Sequence, residues 1–254
     1  MTEDLFSLAG RTACVTGASA GIGRSIAMAL VRAGAAVVGL ARRQALLDDW
    51  MGEAKASGGR TAALAADLSD IDGLPAVARQ VSSLLGSPDI LVNAAGLNPR
   101  KPADAVTPDD WRRTLDLNLA APFFLAQAFV PAMRAKGWGR IVNIASLQSV
   151  RAFPNGIAYG ASKGGVAQLT RAMAEAWSGD GVTCNALAPG FFPTELTAAV
   201  FEDEERAARN AAQTCVGRNG RLEDLVGPVV FLASPASDYV TGQILHVDGG
   251  FTAK

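Results

Sequence analysis

The stretch "TACVTGASAGIGRSIAMALVRAG", residues 12–34, restricts what this chain can fold into more than any other. A short run rich in β-branched residues ends on Gly17, and an apolar period of helical spacing then runs through Ile22, Ile26 and Leu30 to Gly34. The reading is a buried strand, a tight turn and a helix. Gly17, Gly21 and Gly23 occupy the turn. Glycine lets the backbone tighten and approach a ligand closely. A helix start offers unpaired N–H groups and the positive end of its dipole, which suits a phosphate. The glycine spacing is not G-x-G-x-x-G, so taken alone the turn is equally a structural strand-to-helix connection.

The same alternation continues along the chain. "AAVVGLAR" reads as a second strand, with a helix to about Ser57; "TAALAAD" as a third, with a helix from Ile71 to Leu85; "DILVNAAG" as a fourth. Pro108, Asp109 and Asp110 open a long helix, with proline in the first turn and carboxylates at the positive end. "GRIVNIAS" is a fifth strand, Tyr159–Trp177 a helix, and "GVTCNALAPG" a sixth strand. A polar, helical insertion, the helix "LEDLVGPVVFLAS" and a last strand, "GQILHVDGG", complete the order. Strands separated by single helices pair in parallel through right-handed crossovers. The expectation is an α/β fold: one doubly wound, Rossmann-type domain over residues 1–254, with a mainly parallel seven-stranded sheet and helices on both faces. No linker, repeat or low-complexity segment divides it.

Composition narrows the function classes. The formal net charge is -1 and no basic stripe is present, which argues against nucleic acid and acidic membranes as partners. Cys14, Cys184 and Cys215 are odd in number and widely spaced, so neither a disulfide framework nor a zinc site follows. The one histidine, His246, lies in an apolar run and reads as a strand residue; no metal site is expected. No apolar run reaches membrane length, and the start "MTEDLF" is acidic, unlike a secretory signal. The expected compartment is the reducing cytoplasm.

"AYGASKGG", residues 158–165, sets Tyr159 four residues before Lys163, on one helix face. Free tyrosine titrates near ~10 and is a poor base at neutral pH; an adjacent ammonium favours the phenolate and lowers that value. The pair therefore reads as a general acid/base unit, or else as a helix-surface Tyr–Lys pair. Asn118 stands inside the long helix, an unfavourable position for asparagine. Pro122 follows and denies its carbonyl an i→i+4 partner, which predicts a kink. At the end of the second strand, "VVGLARRQ" has Ala41 about where an NAD site would carry a carboxylate, followed by Arg42 and Arg43. An arginine there can grip a 2′-phosphate, which predicts an NADP(H) preference with NAD(H) also accommodated.

"TGASAGIG", "NAAG" at 93–96, Asn118, Ser146, "YGASK" at 159–163, "PG" at 189–190 and "VDGG" at 247–250 together resemble the motif series of the short-chain dehydrogenases/reductases, over essentially the whole chain. The resemblance is closest to sugar-acid members, the gluconate 5-dehydrogenases. It implies an NAD(P)-dependent oxidoreductase interconverting a secondary alcohol and a ketone, on a sugar acid, sugar or polyol. The implied catalytic residues are Asn118, Ser146, Tyr159 and Lys163, with Ser146 orienting the substrate oxygen and Asn118 linked to Lys163 through water. Gly17, Ser19, Gly21, Ile22, Gly23, Arg42, Arg43, Asp67, Leu68, Asn93, Ala94, Gly96, Tyr159, Lys163, Pro189, Gly190 and Thr194 are implied cofactor contacts. Ser146, Gln148, Tyr159 and Phe191 are implied substrate contacts, under a lid at about 190–215 whose Phe191, Phe192, Leu196 and Phe201 suggest apolar closure. A homotetramer is implied, with the long helix, apolar on more than one face, at an interface. Two other readings remain. A 3-oxoacyl-(acyl carrier protein) reductase would call for a basic docking surface, for which Arg100, Lys101, Arg134 and Lys136 are candidates. A catalytically silent dinucleotide-binding sensor would need the glycine turn but not the catalytic four.

Overall fold

The computed structural model describes residues 5–254; Glu3 and Asp4, which make the start acidic, lie outside them. Seven strands form one sheet: β1 (Thr12–Thr16), β2 (Ala36–Ala41), β3 (Thr61–Ala65), β4 (Ile90–Asn93), β5 (Gly139–Ile144), β6 (Val182–Pro189) and β7 (Ile244–Val247). Their spatial order is β3-β2-β1-β4-β5-β6-β7, and every pairing is parallel. The order reverses between β1 and β4, which opens a crevice at the carboxyl ends of those strands.

The helices are α1 (Gly21–Arg32), α2 (Gln44–Ala56), α3 (Leu74–Leu85), α4 (Pro108–Leu115), α5 (Ala121–Ala135), α6 (Ile157–Trp177), α7 (Ala198–Phe201), α8 (Glu204–Gln213) and α9 (Val226–Ala233). One core cluster packs α1, α2 and α9 on one face of the sheet through Ile26, Leu30, Leu47, Trp50, Val229 and Leu232. The other packs α3, α5 and α6 on the opposite face through Leu74, Val81, Leu125, Phe129, Met133 and Met173. Strands covered on both faces read as continuous apolar runs, and β2, β4, β5 and β6 are buried throughout.

Three boundaries differ from the sequence expectation. Helix α3 starts at Leu74 rather than Ile71, because Asp70 accepts from the Gly73 N–H (3.2 Å) in a preceding turn and a proline opens the helix. Helix α6 begins at Ile157, one half-turn ahead of Tyr159. The "LEDL" segment forms a 3-10 turn (Leu222–Leu225) before α9.

The long helix holds a further difference. A capping box between Thr107 and Asp110 starts α4, but Asp116–Ala120 is wound as a π segment before α5 begins. Pro122 cannot donate to the preceding turn, and the backbone responds with one wider turn rather than a sharp kink. The run Pro108–Ala135 is long and apolar enough to cross a membrane, contrary to the sequence expectation. It carries Asp109, Asp110, Arg112 and Arg113 in its first turns and buries Leu125, Phe129, Val130 and Met133 against the sheet.

Candidate active site

The carboxyl ends of the strands border a cavity of about 580 Å3, within the range typical of cofactor and substrate sites. Its first wall is the glycine turn. Gly17 (φ 73°) and Gly21 (φ 54°) both take left-handed backbone. A Cβ on Gly23 would stand 2.2 Å from the Gly17 carbonyl oxygen, so only glycine closes this turn. The N-cap of α1 is Ala20, which supplies no side-chain acceptor, and no carboxylate stands in the first turn. The orphan N–H groups at this helix start are thus unclaimed by side chains beside the cavity, an arrangement that fits a phosphate. Thr16 Oγ1 accepts from Ala94 N–H (2.9 Å) and Ala95 N–H (3.0 Å), tying β1 to the segment after β4.

Gly17, Ser19, Gly21, Ile22, Gly23, Arg42, Arg43, Leu68, Ala94, Gly96, Pro189, Gly190 and Thr194 all line this cavity. Two expected cofactor contacts do not. Asn93 is buried and donates away from it, to Asn143 Oδ1 (2.9 Å) and the Pro122 carbonyl (3.4 Å), knitting β4 to β5 and α5. Asp67 is exposed, and its carboxylate accepts from the Ser69 N–H (3.0 Å) and hydroxyl (2.7 Å), which hold it below its ordinary pKa.

At the far end stand Ser146, Gln148, Tyr159, Lys163 and Phe191. Ser146 closes β5 and caps a 3-10 turn, its oxygen accepting from Gln148 N–H (3.1 Å). That bond uses a lone pair and leaves the hydroxyl proton available. Lys163 is buried, and its ammonium donates to the Ile144 carbonyl at 2.6 Å. Burial pulls its pKa down to about 8. Asn118 is buried within the π segment, outside the cavity lining. Its Oδ1 accepts from Leu97 N–H (2.9 Å), and its Nδ2 donates to the Leu97 carbonyl (2.9 Å) and Ser162 Oγ (3.0 Å). A Cβ on Gly96 would lie 3.2 Å from Asn118 Oδ1 and 3.9 Å from Lys163 Nζ, so Gly96 keeps the space between them open.

The electrostatics at Tyr159 differ from the sequence expectation. Its pKa is raised, because burial of the phenol outweighs hydrogen bonding with Ser146 and the charge of Arg100, which both lower it. The Lys163 ammonium, 5.6 Å from the Tyr159 ring centroid, is engaged by the Ile144 carbonyl. Arg100 is a second cation that bears on this phenol, its charge lowering the pKa.

The segment after β6 forms the remaining wall through Phe191, Phe192, Thr194, Glu195, Leu196, Val200, Arg206 and Asn210. Phe192 and Val200 are buried. Phe191 stacks edge-on with Phe153 (5.8 Å) and Phe251 (5.7 Å). Phe201 lies outside the lining, and Leu196 lines it while remaining 40% exposed.

The sequence reading missed Arg100 as a cavity residue. On sequence it groups with Lys101, Arg134 and Lys136 as a docking-surface candidate. Those three are paired instead with Asp110, Asp180 and Asp89. Arg100 has left-handed backbone (φ 52°), donates from Nη2 to the Leu196 carbonyl (3.2 Å), and keeps a buried Nε without a hydrogen-bond partner. Among the described residues no cluster of His, Cys, Asp or Glu could hold a metal ion.

A parallel sheet with its crevice at the β1/β4 reversal, a phosphate-suited helix start and a Ser–Tyr–Lys cluster define an oxidoreductase of the dinucleotide-binding type. The chain belongs to the short-chain dehydrogenase/reductase family. Residues 17–252 match a family profile described as enoyl-(acyl carrier protein) reductase. The gluconate 5-dehydrogenase of Gluconobacter oxydans is 43% identical over 99% of this chain and 98% of that enzyme. The 2-dehydro-3-deoxy-D-gluconate 5-dehydrogenase of Escherichia coli is 41% identical over the full length of both. A gluconate 5-dehydrogenase from Burkholderia cenocepacia, solved in complex with NADP and tartrate, superposes with a TM-score of 0.95 at 39% identity, covering 100% of both chains.

Proposed function

We propose that this chain is an NADP(H)-preferring oxidoreductase that interconverts a sugar acid and its keto form. Arg100 carries the substrate half of this reading. A cationic side chain lines the cavity close enough to bias Tyr159, and its buried Nε lacks a partner. An unpaired buried donor is costly, and a substrate carboxylate would satisfy it with a charge-assisted bond. The cofactor half rests on Arg42, which lines the cavity with no ion-pair partner among the described residues. The acids of the relatives' names and the NADP of the Burkholderia structure agree with both.

When bound, the nicotinamide dinucleotide supplies or accepts the hydride. The protein handles the proton and the orientation. Tyr159, kept neutral by burial, donates its phenolic proton to the carbonyl oxygen during reduction and recovers it during oxidation. Ser146 turns its hydroxyl proton to the same oxygen and so aims it at Tyr159. Lys163 and Asn118, on either side of the space kept by Gly96, hold the water path that resupplies the proton.

A coupled absorbance assay with NADPH and NADH, over sugar acids, ketoses and acyl thioesters, tests this function. Turnover is expected on sugar acids or their keto forms, faster with the NADP(H) pair. Activity confined to acyl thioesters would favour an acyl-carrier-protein reductase instead, although Lys101, Arg134 and Lys136 are each ion-paired. Cofactor binding without any turnover would leave a sensor.

The proposed assembly is a homotetramer in the cytoplasm. Trp111 and Phe124 remain exposed on the long helix, as do Leu245 on the edge strand β7 and the neighbouring Tyr239. Light scattering at micromolar concentration should give four times the 26.2 kDa of one chain. A monomeric mass would rule this assembly out. Buried Cys14, its thiol pushed up to about 12, and buried Cys184 suit a reducing compartment.

A further inference from the structure

Arg43 and Glu195 face each other across the mouth of the cavity. Nη1 lies 3.1 Å from Oε1 and Nη2 2.9 Å from Oε2, a bidentate pair between residues 152 apart in sequence. Arg43 is the N-cap of α2, where a cation is poorly placed against the helix dipole, and the Glu195 carboxylate offsets it. Arg43 Nη2 also reaches Ser19 Oγ of the glycine turn at 3.5 Å. Glu195 opens a 3-10 turn (Glu195–Thr197) fixed internally by Thr194 and Thr197, whose hydroxyls lie 3.0 Å apart. That turn sits directly over the phosphate-suited helix start: the Thr194 side chain is 3.2 Å from where a Cβ of Gly21 would be. The next residue, Leu196, is held through its carbonyl by Arg100. A three-residue turn is thus tied to one bank of the groove by Arg43 and to the substrate end by Arg100.

We propose that the Arg43–Glu195 pair is a clasp closed over the bound dinucleotide, retaining NADPH and NADH alike, and that Arg42 alone reads the 2′-phosphate. This rests on the reading that a dinucleotide occupies the groove. Two adjacent arginines then have different tasks. Arg43 has its charge satisfied by Glu195, whereas Arg42 has no ion-pair partner among the described residues and remains open to an additional anion. Arg43 is about half and Glu195 about two-thirds exposed, with side-chain accessibilities of 49% and 65%, so the clasp is modest and reversible, as a cofactor that must leave requires. It forms on a turn already fixed by hydrogen bonds between Thr194 and Thr197, so little ordering is needed on closure.

The test is stopped-flow nucleotide fluorescence, reading dissociation of NADPH and of NADH from the parent, Arg43→Met, Glu195→Gln, the double variant, Arg42→Ala and the charge swap Arg43→Glu/Glu195→Arg. Arg43→Met and Glu195→Gln are each expected to speed release of both nucleotides by the same factor, about three to five. The double variant should be no faster than either single one, the charge swap should recover part of the loss, and the effect should shrink at high salt. Arg42→Ala should speed release of NADPH only. Loss confined to NADPH in Arg43→Met would show that Arg43 reads the phosphate, and tighter NADPH in Glu195→Gln would show that Glu195 repels it. Either outcome overturns the clasp, as does unchanged release in both single variants. A parent that binds neither nucleotide would instead refute the occupancy of the groove itself.

Discussion

Tyr159→Phe should lower turnover by at least about 100-fold, the usual scale for a general acid/base, and leave nucleotide affinity nearly unchanged. The reason is local. The substitution removes one hydroxyl and keeps the ring, so the cavity wall and the packing of α6 persist. What is lost is the only phenol lining the cavity, hydrogen-bonded with Ser146 and biased by Arg100. Burial keeps that phenol protonated, so it is a proton donor at neutral pH and reduction is the direction it serves directly. Oxidation needs the phenolate and should gain with rising pH. Rate and nucleotide titration measured on one preparation separate the two effects. Near-parent turnover would remove Tyr159 from the chemistry, and lost nucleotide binding would mean the ring itself had been displaced.

Lys163→Ala should lose both turnover, again by about 100-fold or more, and nucleotide affinity, by about 10- to 100-fold, the range of one hydrogen bond to a charged group. The buried ammonium contacts the Ile144 carbonyl and borders the space kept by Gly96. Removing it takes away a cation from the cavity and one hydrogen bond to that carbonyl. The same residue leaves a mark on stability without any ligand. Its pKa falls from the ordinary 10.5 to about 8 on folding. Between those values the unfolded chain binds the extra proton, so Lys163 makes folding more favourable as pH rises through that window. The stability of the parent relative to Lys163→Ala, from denaturant midpoints, should therefore increase from about pH 8 to about pH 10.5. A constant difference would mean that Lys163 is not held in a desolvated site.

What was legible in the sequence was local. The glycine turn, the Tyr159–Lys163 spacing and the strand–helix alternation depend on residues within one or two turns of each other, and they stand in the structure where their periodicity puts them. What was not legible depends on packing. Asn93 and Ala94 are neighbours in one motif, yet in a parallel strand consecutive side chains point to opposite faces, so Asn93 enters the core toward Asn143 while Ala94 borders the cavity. Pro122 announced a disturbance of the long helix. Whether the backbone kinks or widens into a π turn depends on what it packs against. The shift at Tyr159 follows from burial, which no spacing encodes. Arg100 and Glu195 carry no motif; one lies on the loop after β4 and the other in the segment after β6, and only the closed fold brings them to one cavity.

Recognition of a sugar acid in this cavity turns on Arg100. The direct measurement is kcat/KM for gluconate and for sorbitol, its uncharged polyol analogue, in the parent and in Arg100→Ala. Sorbitol lacks the carboxylate but would meet the same Tyr159 and the same cofactor. The preference of the parent for gluconate should fall by about 10- to 100-fold in the variant, because a charge-assisted bond to the carboxylate has been removed. Equal losses on the two substrates would confine Arg100 to its effect on Tyr159 and contradict recognition of a sugar acid in this cavity.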